Sequence, residues 1–108
     1  MADLKSILDA LNKKLESADL SKLKGVNAVF QFDVSGDDPG VFHTVVDDGK
    51  VTLVESAHDN PNTTITMAAD DFMNMLEEKL SVTNAFMSGK LKVKGDMNLA
   101  LKLQSLFG

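Results

Sequence analysis

The chain contains no cysteine, no tryptophan, no tyrosine and no arginine. The absence of cysteine excludes disulfides, thiol catalysis and cysteine-held metals, and it suits a reducing compartment. All 11 basic residues are lysine, so the planar fork that phosphate and base recognition usually recruits is missing. The stacking platforms of single-strand binders are missing too, because phenylalanine is the sole aromatic type. A net charge of −5 opposes the counterion displacement on which nucleic-acid binding depends. Nucleic acid is therefore excluded as a partner.

Long apolar runs are also absent. Lys, Asp or Glu interrupts every one before the ~18 residues a membrane span needs. The opening stretch MADLKSILDA is already charged and amphipathic, unlike a secretory leader. The ending SLFG is not the S-K-L type of peroxisomal address. The Asn62-Thr63-Thr64 sequon has no secretion signal to give it meaning. The expectation is a cytoplasmic protein.

Catalytic groups are scarce. The chain has two histidines, His43 and His58, with no cysteine to activate. No elbow surrounds Ser56 or Ser88, and no P-loop surrounds Gly89-Lys90. His58-Asp59-Asn60 reads as a polar turn rather than a metal site. The adjacent carboxylates Asp37-Asp38, Asp47-Asp48 and Asp70-Asp71 fall at turns or a helix start, where solvation or capping accounts for them. No cofactor is expected, and a binding module is a better reading than an enzyme.

What is present is patterned. At 108 residues the chain suits one domain, 1–108. Leu4, Ile7, Leu8, Leu11, Leu15 and Ala18 recur at three- and four-residue spacing, a helix with one dry side. Val26–Val34 alternates as a half-buried strand. Val41–Val46 and Val51–Glu55 follow, joined by the hairpin signal Asp48-Gly49, so these three strands should form an antiparallel meander. Thr63–Met67 is a fourth short strand. A helix capped by Asp70 or Asp71 should run to about Lys79, and a shorter one covers Val82–Met87. Lys90–Lys94 alternates as a fifth strand, and Asp96 should cap a last helix over Met97–Phe107. The order αββββααβα predicts an α+β domain with one sheet and its helices on one face.

The apolar residues are unevenly spread. On a helical wheel those of Met97–Phe107 span roughly 220°, too wide for one docking face. Such a helix is covered on two sides or lines a cavity. Met67, Met73, Met75, Met87 and Met97, five of the six methionines, lie in this second half. Methionine adapts to variable apolar partners, although the same residues also suit an ordinary core. Lys90, Lys92 and Lys94 share one strand face. With Lys102 against Asp96 they give 85–108 a local charge of +3 (four lysines, one aspartate). That charge suits an anionic lipid headgroup, a CoA ester or a membrane surface. It equally suits a solvated face or a guarded sheet edge.

These residues carry a family likeness. Thr64 to Phe107 resembles the second half of the sterol carrier protein lipid-binding domain, through Ala85, Phe86, Gly89, Lys90, Leu91, Lys92, Gly95, Leu99, Ala100, Lys102 and Leu103. The first half agrees in order and length. The resemblance implies a five-stranded mixed sheet with helices packed on one face around an apolar tunnel. It implies a non-enzymatic carrier of fatty acid, fatty acyl-CoA, phospholipid or sterol, with transient membrane contact and a partner enzyme as further expectations. The wall candidates are Phe72, Met75, Leu76, Phe86, Met87, Met97, Leu101 and Leu103, with Gln104 as a polar contact. Lys90, Lys92 and Lys94 are the headgroup candidates. Glu77-Glu78-Lys79 stands where the family often has Thr-Gly-Lys, which predicts a longer helix there. The alternative is an accessory or dimerisation domain presenting lipid to a partner enzyme, as a monomer or weak homodimer.

Overall fold

The structure, a computed structural model, describes residues 3–17, 20–36 and 39–102. A helix α1 (Leu4–Ser17) and a 3₁₀ turn (Leu20–Leu23) precede β1 (Asn27–Ser35), β2 (Gly40–Asp47), β3 (Lys50–Val54) and β4 (Thr63–Ala68). Helices α2 (Ala69–Leu76) and α3 (Val82–Met87), strand β5 (Leu91–Gly95) and helix α4 (Met97–Lys102) complete the described chain. The sheet order is β3-β2-β1-β4-β5. The β1–β2–β3 meander is antiparallel, β4 joins β1 in parallel, and β5 pairs antiparallel with β4. The domain is the α+β arrangement that the alternation predicts. The parallel β1–β4 pairing is a non-local feature that period-two alternation does not encode.

Each strand's alternation divides the sheet into two faces. Ala28, Phe30, Phe32 and Val34 of β1, Phe42 and Val46 of β2 and Ile65 and Met67 of β4 are buried on the inner face. The helices cover that face, and Ile7, Leu8 and Leu11 of α1 are its buried stripe. On the outer face the segment after β3 returns toward β4, strapped to β1 by side chains. His58 N–H donates to Gln31 Oε1 at 2.8 Å, and Val29 N–H donates to Asn62 Oδ1 at 2.8 Å.

Local signals set most element ends. Asp48 and Gly49 both take positive φ, 50° and 87°, as a two-residue hairpin between Asp47 and Lys50 requires. Asp96 caps α4 by accepting from Asn98 N–H at 2.9 Å, and Ser81 caps α3 by accepting from Asn84 N–H at 3.0 Å. Asp3 caps α1 in the same way, accepting from Ser6 N–H at 2.8 Å. Hydrogen bonds from Ser6 hold the Asp3 carboxyl below the usual aspartate value of 3.8. That cap therefore stabilises above the ordinary value and fades as pH falls through the lowered one.

Two expectations about α2 fail. Its N-cap is Ala68, with no side-chain cap bond, and Asp70 and Asp71 lie inside the first turn. There their charge complements the helix dipole. The helix also ends at Leu76 rather than near Lys79. Lys79 N–H bonds to Asn74 C=O at 2.8 Å and Glu78 N–H to Met75 C=O at 3.1 Å. These two bonds form the Schellman closure, with Glu78 in the left-handed position at φ 63°. Glycine usually fills that position, and a residue with a Cβ there costs about 1–2 kcal/mol. An ion pair to Lys14 of α1 at 3.0 Å holds the Glu78 carboxylate. The closure ends α2 before the chain reaches α3.

The start of α4 is fixed by backbone. Gly95, at φ +107°, lies so close to the Asn62 carbonyl that an added Cβ would collide with it. Asp96 N–H donates to that same carbonyl at 3.1 Å. The buried Thr63 Oγ1 donates to Asp96 C=O at 2.9 Å. The β5-to-α4 turn is thus pinned to the first residues of β4.

Removing the left-handed strain at Glu78 should stabilise the fold. Glu78→Gly is expected to gain about 1 kcal/mol in a Lys14→Met background. It should gain less in the unchanged chain, the difference being the ion pair, worth at most about 1 kcal/mol. Urea unfolding of the four proteins measures both terms. No gain in either background would place the strain elsewhere.

Candidate functional site

Three phenylalanines fill the inner face around β1 and β2. Phe32 stacks on Phe42 with ring centroids 5.1 Å apart, and Phe72 of α2 meets them edge-on at 5.5 and 6.0 Å. Toward β5 the filling stops. A cavity of about 160 Å³ lies between the inner faces of β4 and β5 and the short helices α3 and α4.

Strands supply its floor: Ile65 from β4, Leu91 and Val93 from β5, and Phe32 of the aromatic cluster. Met75 comes from α2. From α3 come Val82, Thr83 and Phe86, and from α4 Met97, Ala100 and Leu101, each set sharing one helical face. Among the described residues of the lining, Thr83 alone carries a polar side chain. Ile65, Met75 and Leu91 at the bottom are 3% exposed or less, whereas Phe86, Met97 and Leu101 are 46%, 44% and 59% exposed. The cavity is apolar and buried at its floor and opens between α3 and α4.

A core filled by side chains would be more stable. At ~24 cal/mol per Å³, a fully enclosed void of this size would cost on the order of 4 kcal/mol, and the open mouth lowers that figure.

The sequence candidates divide. Met75, Phe86, Met97 and Leu101 meet around the cavity as expected. Phe72 and Leu76 do not line it. Both are buried in the core, and Phe72 is committed to the aromatic cluster. Met87 is 79% exposed and is not part of the lining. Leu103 and Gln104 lie outside the described residues. Lys92 and Lys94 alternate with Leu91 and Val93 and so occupy the opposite, outer face of β5. Lys90 and Lys92 line a shallow groove there with Ser35, Thr66 and Asp71. The three lysines are thus at the sheet edge beside the cavity, not on its wall.

Seven lining residues escaped the sequence reading: Phe32, Ile65, Val82, Thr83, Leu91, Val93 and Ala100. The strand members carried a usable signal, since period two puts Ile65, Leu91 and Val93 on the inner face.

The two histidines meet on the outer face, rings 5.1 Å apart and edge-on. His43 Nδ1 bonds to the Ser56 carbonyl, and His58 Nδ1 accepts from Asn60 N–H at 3.0 Å. His43 straps the β3–β4 connection to the sheet, and the His58 ring braces the turn within that connection. Among the described residues no group of three or more His, Asp or Glu could hold a metal, and no helix is long and apolar enough to cross a membrane.

The chain is thus a mixed five-stranded sheet with an apolar cavity under its helices. Residues 8–108 match the SCP-2 sterol transfer family, and the chain belongs to that family. It is 35% identical over 104 residues to human sterol carrier protein 2, covering 93% of this chain and 19% of that protein. It is 42% identical over 86 residues to hydroxysteroid dehydrogenase-like protein 2 of Bos taurus, covering 78% of this chain and 20% of that protein. The chain therefore spans about a fifth of the length of these curated relatives. In fold it is similar to palmitated SCP2L2 of Aedes aegypti, with a TM-score of 0.79 at 22% identity, covering 99% of this chain and 95% of that one. The apo form of sterol carrier protein 2 from Yarrowia lipolytica aligns with a TM-score of 0.70 at 23% identity, over 94% and 87% of the two chains.

Filling the cavity should separate stability from binding. Ala100→Leu adds three carbons to a buried wall position. It is expected to keep or raise thermal stability, by up to about 2 kcal/mol, while weakening binding of a fatty-acid probe at least tenfold. Equal probe affinity in the folded variant would mean that the cavity is not the binding site.

Proposed function

We propose that this chain is a cytoplasmic, non-enzymatic carrier that holds the hydrocarbon portion of one lipid in the α3–α4 cavity. Fatty acid, fatty acyl-CoA, phospholipid or sterol are the ligand classes. The supporting observation is the lining itself: Thr83 is its one polar member among the described residues, and its mouth opens through exposed apolar side chains.

The physics follows from that wall. Each methylene moved out of water contributes roughly 0.8 kcal/mol, so ~10 methylenes give about 8 kcal/mol. Association and ordering offset several kcal/mol, which places affinity near micromolar. The cavity compares with an engineered apolar cavity of about 150 Å³ that accepts benzene. A longer chain extends past that volume by displacing Phe86, Met97 and Leu101, whose exposed ends are free to swing outward. With Thr83 the one polar side chain on the described wall, neighbouring chain lengths differ by little, and selectivity is broad.

A second reading has one observation in its favour. The chain corresponds to about a fifth of relatives such as hydroxysteroid dehydrogenase-like protein 2. The same unit therefore suits an accessory role, presenting bound lipid to a partner enzyme. That reading uses the same cavity and differs in where the ligand goes.

Displacement of a fluorescent fatty acid by unlabelled fatty acid, acyl-CoA and sterol tests the carrier reading. Saturable binding of one probe per chain, competed by long-chain lipids in the micromolar range, is expected. No probe binding by protein first extracted free of lipid would overturn it.

A further inference from the structure

We infer that His58 is a proton sensor for the cavity on the other side of the sheet, an inference that rests on the carrier reading for its purpose. Protonating its ring opens the β3–β4 connection, and the opening reaches α4 through Asn62 and speeds lipid release. The assignment starts from tautomers. His43 Nδ1 faces the Ser56 carbonyl, which only accepts, so that nitrogen carries a proton and keeps its bond in either charge state. His58 Nδ1 accepts from Asn60 N–H at 3.0 Å, which it can do only while bare. A proton there sets N–H against N–H, and the turn loses its brace. The His58 ring also packs edge-on against His43 at 5.1 Å, so a ring that swings away from Asn60 leaves that contact too. Histidine is the side chain that gains charge between about pH 8 and pH 5. The turn is therefore held at neutral pH and lost as pH falls.

The ring sits against neutral side chains, His43 and Gln31, whose Oε1 accepts from His58 N–H. Strand register places the charged groups of the outer face further off. They are Asp33 on β1, Asp47 on β2, Lys50 on β3 and Lys94 on β5, while β4 presents Thr64 and Thr66. The connection itself carries Glu55 and Asp59. Neither is in an ion pair among the described residues. An imidazolium released from the turn therefore has carboxylates beside it in the chain.

From this turn the chain runs directly to the anchor of α4. Asn60 is followed by Pro61, whose fixed φ leaves little freedom to absorb a movement, and then by Asn62. Asn62 is tied to β1, its N–H donating to Val29 C=O at 2.9 Å and its Oδ1 accepting from Val29 N–H at 2.8 Å. Its own carbonyl accepts from Asp96 N–H at 3.1 Å, and Asp96 caps α4. That helix brings Met97, Ala100 and Leu101 to the lining. Asn62 is thus the shared end of the histidine turn and of the α4 start. When the turn opens, the Asn62 carbonyl is less firmly held and the mouth between α3 and α4 widens. Thr63 Oγ1 still holds Asp96 C=O from β4, so α4 loosens without detaching.

Backbone amide spectra of the lipid-free protein, recorded from about pH 7.5 to about pH 5.5, test the coupling. The Asn60 and Asp96 signals should shift with the same midpoint as the His58 ring, and both should stay still in His58→Asn. Asparagine offers an oxygen that accepts from the N–H two residues on, and it takes no proton in this range. Release of a bound fluorescent long-chain alcohol, which does not titrate, is then followed at the two ends of the range. It should be about fivefold faster at the acid end, the size of one hydrogen bond, and should change by less than about twofold in His58→Asn. A shift at Asn60 with none at Asp96 overturns the proposal, as does acid release that is equally fast in His58→Asn. Probe binding with release unchanged by pH overturns the sensor and leaves the carrier reading intact. No probe binding at either pH, with Asn60 and Asp96 still titrating together, overturns the carrier reading and leaves the coupling from His58 to α4 in place.

Discussion

Phe32, Phe42 and Phe72 lock the middle of the sheet to α2, and every other feature of the site follows from where that packing ends. Stacked and edge-on rings at 5.1 to 6.0 Å bury large areas with defined geometry. They give the domain a rigid half. Beyond Phe32 the inner face continues with Ile65, Leu91 and Val93, and the helices above them contribute mainly Met, Val, Ala and Leu. These side chains do not meet across the gap. Phe86, the one aromatic residue brought by α3, stands at the rim with nearly half its surface outside. A solid half holds the fold, and the other half is left underfilled.

Backbone restraints keep the underfilled half from collapsing. The Asn62 carbonyl and Thr63 hydroxyl hold the turn that launches α4, while Gly95 permits the close approach. The Schellman closure at Glu78 stops α2, and the Ser81 cap starts α3 on a new axis. Both helices are thereby set at the borders of β4 and β5 by hydrogen bonds rather than by mutual packing.

Local chemistry explains what the sequence disclosed. Alternation in Asn27–Ser35, the Asp48-Gly49 turn and the Asp96 cap each act within a few residues and read correctly. The end of α2 did not, because Glu77-Glu78-Lys79 contains no glycine to mark a left-handed residue, and the chain accepts a strained glutamate there. The β1–β4 pairing joins strands separated by two others, and no local pattern encodes it. At the site, Met97 and Leu101 were legible from the wide apolar arc of the last helix, and Met75 and Phe86 from the methionine- and phenylalanine-rich second half of the chain. Phe72 and Leu76 have the same character on the same helix as Met75, and only the tertiary packing tells core from wall. The strand residues of the floor were passed over because a buried alternating position looks the same whether a side chain or a ligand covers it.

The central claim is that lipid occupies the α3–α4 cavity and not some other apolar surface. Methionine is placed well to report this, with Met75 and Met97 in the lining and Met73 outside it. Methyl-labelled methionine spectra recorded during titration with a long-chain fatty acid give the most direct measurement. The account predicts saturating shifts at Met75 and Met97 at one equivalent, with Met73 moving little. Unmoved Met75 and Met97 signals, or equal shifts at all three, would contradict it.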